Sequence, residues 1–158
     1  MKLYIKQAVL TLGERFTVWN EYQEAAYTVE GNFLRIPKQF RIYDAYGKQV
    51  AQIERQLFRI LPKYNITTNT HHVTLDQHLS FLTHRFSIQG LNWVVEGDFT
   101  AHNYVFKEND VIIMRMRKRW FTIGDTYEIE INKKENEVLA LALVIAIDHV
   151  ILKESANN

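Results

Sequence analysis

The densest chemistry in this chain is "RMRKRW", residues 115 to 120. Side chains alternate between faces along an extended strand. Arg115, Arg117 and Arg119 therefore share one face, and Met114, Met116, Lys118 and Trp120 the other. A row of guanidiniums on one face reads as a phosphate-binding stripe, for lipid headgroups or for nucleic acid. The competing reading is a solvated face paired across strands with Glu or Asp.

Two further constellations carry titratable groups. His71, His72, His78 and His84 lie close together in "THHVTLDQHLSFLTHRF". Alternation puts His72, His78 and His84 on one face, but no pair has a familiar zinc spacing and no third carboxylate or thiolate ligand accompanies them. No metal is expected there. Asp148 and His149 stand side by side near the end of an apolar run. One reading makes them the acid–base pair of an enzyme at one end of the fold. The other makes Asp148 a structural plug, because a carboxylate at a helix C-terminus meets an unfavourable dipole and needs water, a hydrogen bond or a cation. There is no glycine-rich phosphate loop, nucleophile elbow or paired-carboxylate motif, so neither catalytic residues nor a cofactor are expected.

These residues must be positioned by a chain of 158 residues, a length that suits one domain over 1–158. Net charge is +1, so affinity for nucleic acid or anionic membranes has to come from a local patch, and a DNA-binding regulator is the least favoured function. The absence of cysteine excludes a disulfide scaffold, a thiol nucleophile and a thiolate metal site. The N-terminal "MKLYIKQAVLTLGERF" reads as strand rather than signal peptide, and a cytoplasmic protein is expected.

Up to residue 133 the pattern is one of short strands rich in β-branched and aromatic residues. Turns are expected at Glu30-Gly31-Asn32 and Asp44-Ala45-Tyr46-Gly47, and hairpins around Gln89-Gly90-Leu91-Asn92 and Gly124-Asp125. "QFRIYD" and "KQVAQIERQLF" form the arms of another hairpin, and the ambiguous residues 75–86 are assigned to strand. Val29-Glu30-Gly31-Asn32-Phe33 is echoed by Val95-Glu96-Gly97-Asp98-Phe99, and residues 43–58 lie over 106–121 in the same order. Two tandem units are expected, with repeat-like halves at about 16–58 and 86–121. Gln52, Glu54 and Gln56 then align with the three arginines, so the basic stripe is not demanded by the fold. Two small β units would close against each other and so remove their edges.

From Val138 to Ile147 every residue is apolar. As a helix this run covers about 15 Å, about half of a bilayer core of about 30 Å. Being apolar on every side, it suits no surface. Ala140, Ala142 and Ala146 keep it slim, and a helix from about Glu135 to Leu152 inside a closed sheet is expected, with Leu139, Leu141, Leu143, Val144 and Ile147 buried.

"YTVEGNF", "FRIYDAYGKQVAQIERQLF", "LPKYNI", "WVVEGDF", "RWFTIGDTYEIEI" and "LALALVIAID" follow one another as in the LURP-one-related proteins, which this chain resembles over nearly its whole length. That family groups with tubby C-terminal and phospholipid-scramblase-like domains. The resemblance implies a mainly β fold: a closed antiparallel barrel of about twelve strands around a central hydrophobic helix. It brings no catalytic residues. Tubby-like relatives bind phosphoinositides through basic side chains and scramblase-like relatives act at membranes. The expected function is therefore a non-catalytic binding or scaffold domain whose partner is an anionic phospholipid or a phosphorylated ligand, held by Arg115, Arg117 and Arg119. The enzyme reading at Asp148 and His149 stays open beside it.

Overall fold

The computed structural model describes residues 1–6, 15–32, 36–78, 85–121 and 124–156. Twelve strands follow in chain order among them: β1 Lys2–Lys6, β2 Arg15–Asn20, β3 Ala25–Asn32, β4 Gln39–Asp44, β5 Gln49–Arg55, β6 Lys63–Thr68, β7 His72–His78, β8 Arg85–Gln89, β9 Trp93–Asp98, β10 Asn103–Glu108, β11 Val111–Phe121 and β12 Gly124–Ile131. Each pairs antiparallel with the next, and β1 pairs with β12 to close the ring. A closed ring leaves no strand edge open to a second chain.

Local chemistry sets the turns. Asp44 Oδ1 accepts from the backbone N–H groups of Tyr46 and Lys48, each at 2.9 Å, and Gly47 supplies a φ of +80°. Asn20 Oδ1 does the same for Tyr22 and Glu24. These are side-chain mimics of a backbone turn. The expected turn at Glu30-Gly31-Asn32 is absent. All three continue β3 opposite Arg41, Phe40 and Gln39, because the backbone pairing with β4 runs on through the glycine. Gly124 and Asp125 are likewise the first residues of β12, facing Phe121 and Trp120 across the pair. β5 stops at Arg55, so Leu57 and Phe58 lie in a loop and not in the expected hairpin arm. Of the ambiguous segment, Leu75–His78 belong to β7 and Arg85 and Phe86 to β8, while 79–84 fall outside the described residues.

Inward residues alternate along the strands: Leu3 and Ile5, Phe16 and Val18, Phe40 and Ile42, Tyr64 and Ile66, Met114 and Met116. They close on one helix, α1, Glu137–Ala156, entered through a 3-10 turn at Lys134–Asn136. Leu139, Leu141, Leu143, Val144 and Ile147 are buried, as expected, and Ala140, Ala142 and Ala146 are fully so. The helix packs most closely against β5 and β6. Each Leu, Ile or Val so buried contributes about 1.5 to 3 kcal/mol, an upper figure because unfolded chains already hide part of that surface. Among the described residues no helix is long and apolar enough to cross a membrane.

Two carboxyl groups of α1 are buried in the interior. Near the helix start, buried Glu137 accepts from the Tyr27 hydroxyl and from Lys134 at 2.8 Å, an acidic residue in the first turn where the dipole favours it. The second is Asp148, which is wholly buried. The helix runs past it to Ala156, so Asp148 is interior to α1 and not a plug at its C-terminal end.

Candidate functional site

Strand β11 lies between β10 and β12. Met114 and Met116 are fully buried, which turns Arg115, Arg117 and Arg119 outward on the alternate face. Across the ladder Arg115 faces Glu130, Arg117 faces Glu128 and Arg119 faces Thr126. The side chains do not pair simply along this register. Arg117 takes Glu130 at 2.7 Å and Glu128 at 3.5 Å, and Arg119 takes Glu128 at 3.2 Å. Arg115 makes no ion pair among the described residues.

Glu128 is the hub of this outer network. Lys2 stands 3.5 Å from it, and the Tyr4 hydroxyl donates to it at 3.4 Å. Burial alone would raise its carboxyl, but the Arg119 guanidinium, with Lys2 and Arg117, reverses that and holds it below the usual range. Lys118 falls on the inward series, but near the end of the barrel, where it meets Asp125 at 2.7 Å. Among the described residues, four outward cations (Lys2, Arg115, Arg117 and Arg119) thus stand beside two carboxylates (Glu128 and Glu130), and this face keeps a positive surplus.

Beside the stripe lies a depression of about 600 Å³, lined by Thr100, Ala101, His102, Asn103, Arg117, Lys118 and Arg119. Its far wall is the β9–β10 turn. Asp98 Oδ1 accepts from the Ala101 N–H at 2.9 Å, and the His102 N–H bonds the Phe99 carbonyl at 3.1 Å. His102 itself takes a φ of +51°. This turn carries the His102 ring inward, so that only 7% of the residue is exposed.

Beneath the depression His102 Nδ1 lies 2.8 Å from Asp148 Oδ1, and the Tyr127 hydroxyl lies 3.2 Å from Nε2. The two atoms are close, but their geometry does not make a directed hydrogen bond. Burial raises the Tyr127 and Tyr104 hydroxyls well above their usual range, and the Asp148 carboxylate adds to both. Nε2 bonds the Tyr127 hydroxyl and Nδ1 faces Asp148, so both ring nitrogens are turned toward buried groups.

His149 points elsewhere. Its Nδ1 is 2.6 Å from the Tyr64 hydroxyl, and its ring stands edge-on to Phe40 at 5.1 Å. Neighbours in sequence, Asp148 and His149 serve opposite parts of the barrel, and the arrangement does not bring them together as an acid–base pair. Burial, and then Lys153, Lys38 and Arg55, push the His149 imidazole down to about 3. An unfolded histidine protonates near pH 6.5. Between about 6.5 and 3 the unfolded state therefore binds more protons, and stability falls as pH is lowered through that window. The slope is at most about 1.4 kcal/mol per pH unit for one proton. Chemical denaturation at a series of pH values should show His149→Gln losing less stability than the parent over this range.

The other histidines are bound to hydroxyls: His71 to Thr70 at 2.8 Å, His72 to Thr67 at 2.8 Å and His78 to Ser87 at 2.6 Å. His84 and the Trp120 side chain lie outside the described residues. Sequence reasoning missed His102, Glu128, Lys2 and Tyr4. The one available signal was "VEGDF" followed by a polar turn, which announces a constrained β9–β10 connection. Glu128 in "EIEI" alternates like a solvent-facing residue, and its burial comes from the side chains that cover it.

A closed twelve-strand antiparallel barrel filled by a C-terminal helix, with an outward arginine stripe, defines a class of helix-filled barrels. The chain belongs to the LURP-one-related family, whose model matches residues 1–148. It is similar to the uncharacterised protein YxjI of Bacillus subtilis (strain 168), 26% identical over 155 residues, covering 98% of this chain and 96% of that protein. A protein from Arabidopsis thaliana solved by X-ray crystallography shares the fold at a TM-score of 0.65, with 13% identity, over 94% of this chain and 90% of that one.

Proposed function

We propose that the chain is a non-catalytic, cytosolic binding domain that takes phosphate-bearing anions, as lipid headgroups or phosphorylated ligands, at the β11 face. The observation that carries this reading is the depression beside Arg117, Lys118 and Arg119, on a face where cations outnumber carboxylates and Arg115 is left unpaired. Guanidiniums recognise phosphate oxygens in a planar, bidentate manner, and the adjoining turn offers polar groups at Thr100 and Asn103. Binding is favoured over catalysis because α1 occupies the barrel interior and because the His102 ring is buried with both nitrogens turned toward Tyr127 and Asp148. The wider kinship with tubby-like and scramblase-like domains, carried by the sequence resemblance, fits the same reading.

Arg115→Gln tests it without disturbing Glu128. Each cation near such a ligand is worth about 1 kcal/mol, about fivefold in affinity. Titration with inositol trisphosphate should show that loss, a binding constant that falls steeply with salt, and no change in thermal stability. Equal affinity in parent and variant, or no binding even at low salt, contradicts the proposal.

We also propose that the barrel arose by duplication of a six-strand unit. Gly31 lies in β3 and Gly97 in β9, six strands apart, and the second matched pair falls on β4–β5 and β10–β11. Superposition of residues 16–58 on 86–121 tests this, since a register that separates the two glycines would oppose it.

A further inference from the structure

The loop between β5 and β6 breaks a rule that the rest of the chain obeys. Phe58 and Ile60 are fully exposed, Leu57 is 43% exposed, and Ile36, on the neighbouring segment before β4, is 83% exposed. Phe58 moreover holds a φ of +57°, a conformation that L residues with bulky side chains rarely adopt. Singly exposed apolar residues are ordinary, but a run of them held on a constrained loop marks an interaction surface.

The surroundings of that loop are basic. The Arg55 N–H bonds the Lys38 carbonyl at 2.9 Å, which sets the two residues side by side at the ends of β4 and β5. Arg55 faces Tyr64 in the ladder, and Tyr64 holds His149, so the last turns of α1 reach the same place. Lys153 lies one helical turn beyond His149. Arg59 is exposed within the loop. Of the nearby carboxylates, Glu54 accepts from Gln39 and Glu154 from Gln77, while neither Arg55 nor Lys153 makes an ion pair among the described residues.

We propose that the β5–β6 loop docks on an anionic lipid surface, with Ile36, Phe58 and Ile60 entering the acyl boundary and Lys38, Arg55, Arg59 and Lys153 meeting the headgroups. An apolar tip ringed by cations matches the two layers of such a surface, whereas a neutral protein partner would leave Arg55 and Lys153 without a counter-charge. The crowding of these cations is visible in Lys153, whose ammonium is pushed down to about 8 by burial and then by Arg55 and Lys38. A negative surface relieves that repulsion. The docking loop adjoins β5, six strands from β11 in the ring of twelve, so this surface and the arginine face stand on opposite walls.

The chain has no cysteine, so a single introduced thiol reports from one place. An environment-sensitive fluorophore attached through Ile60→Cys should shift to the blue with vesicles of phosphatidylcholine and phosphatidylserine, and not with phosphatidylcholine alone. The same fluorophore attached through Tyr46→Cys, in the exposed β4–β5 turn, should not respond. Ile36→Ser with Phe58→Ser should lower vesicle partition by about tenfold or more, because apolar area no longer leaves water. Arg55→Gln with Lys153→Gln should lower it by about fivefold per cation and flatten its salt dependence. All these side chains are at least partly exposed, and each variant should keep its thermal stability and its affinity for inositol trisphosphate. A position-60 label that ignores anionic vesicles, a position-46 label that responds equally, or partition unchanged in both double variants overturns the proposal. Failure of Arg115→Gln to weaken inositol trisphosphate binding would overturn only the β11 site.

Discussion

Gly97→Ala should lose about 3 to 5 kcal/mol of folding stability, read as a drop in denaturation midpoint with no change in slope. Gly97 sits in β9 at a φ of +135°, where any side chain is strained. A Cβ there would stand 2.5 Å from the Asn103 carbonyl oxygen and 2.5 Å from the Tyr104 Cα. Both are backbone atoms of β10, the strand that pairs with β9 through Gly97 and Tyr104, so the clash cannot be relieved by turning a side chain. Left-handed strain costs about 1 to 3 kcal/mol and overpacking about the same again. Against a typical stability of about 5 to 15 kcal/mol, that is a large fraction. Since β10 begins at the wall of the depression, a variant that still folds should also lose affinity for inositol trisphosphate. A stability within 1 kcal/mol of the parent, on the scale of an ordinary surface change, would contradict the close approach.

His102→Leu should cost about 1 to 3 kcal/mol, because it takes the close polar neighbour away from a wholly buried carboxyl group. Asp148 is wholly buried, and His102 is its one ion-pair partner among the described residues. His102→Leu combined with Asp148→Leu should recover much of that loss, since replacing both partners of a buried polar pair by apolar side chains is often nearly neutral. The double-mutant cycle therefore separates two accounts. A strong coupling means that the two polar groups stabilise each other. Simple additivity would mean that the two residues act only through packing, and would remove the dyad from the account of the core.

Much of the architecture is written in local pattern. A ten-residue apolar run too short for a bilayer and too greasy for a surface has one home, the inside of a closed sheet, and α1 is found there. Alternation likewise assigned Met114 and Met116 inward and the arginines outward. Misreadings arose where local chemistry is degenerate. Gly31-Asn32 has turn composition, yet continued pairing with β4 keeps it in a strand. "QLF" after β5 has strand composition, yet Phe58 faces solvent. The dyad was not legible at all. His102 and Asp148 are 46 positions apart and meet only because the β9–β10 turn packs over the helix that fills the barrel. Adjacency in sequence suggested pairing Asp148 with His149, but neighbours on a helix point in different directions, and these two contact different strands.

The central claim is that the β11 face takes a phosphate-bearing anion. Amide chemical-shift mapping during titration with inositol trisphosphate, at ionic strength matched by chloride, tests it most directly. The predicted result is that the largest shifts fall on Arg117, Lys118 and Arg119 and on Thr100 to Asn103, saturate together, and shrink in Arg115→Gln. Shifts that chloride alone reproduces, or that spare β11 and the β9–β10 turn while other regions respond, would contradict it.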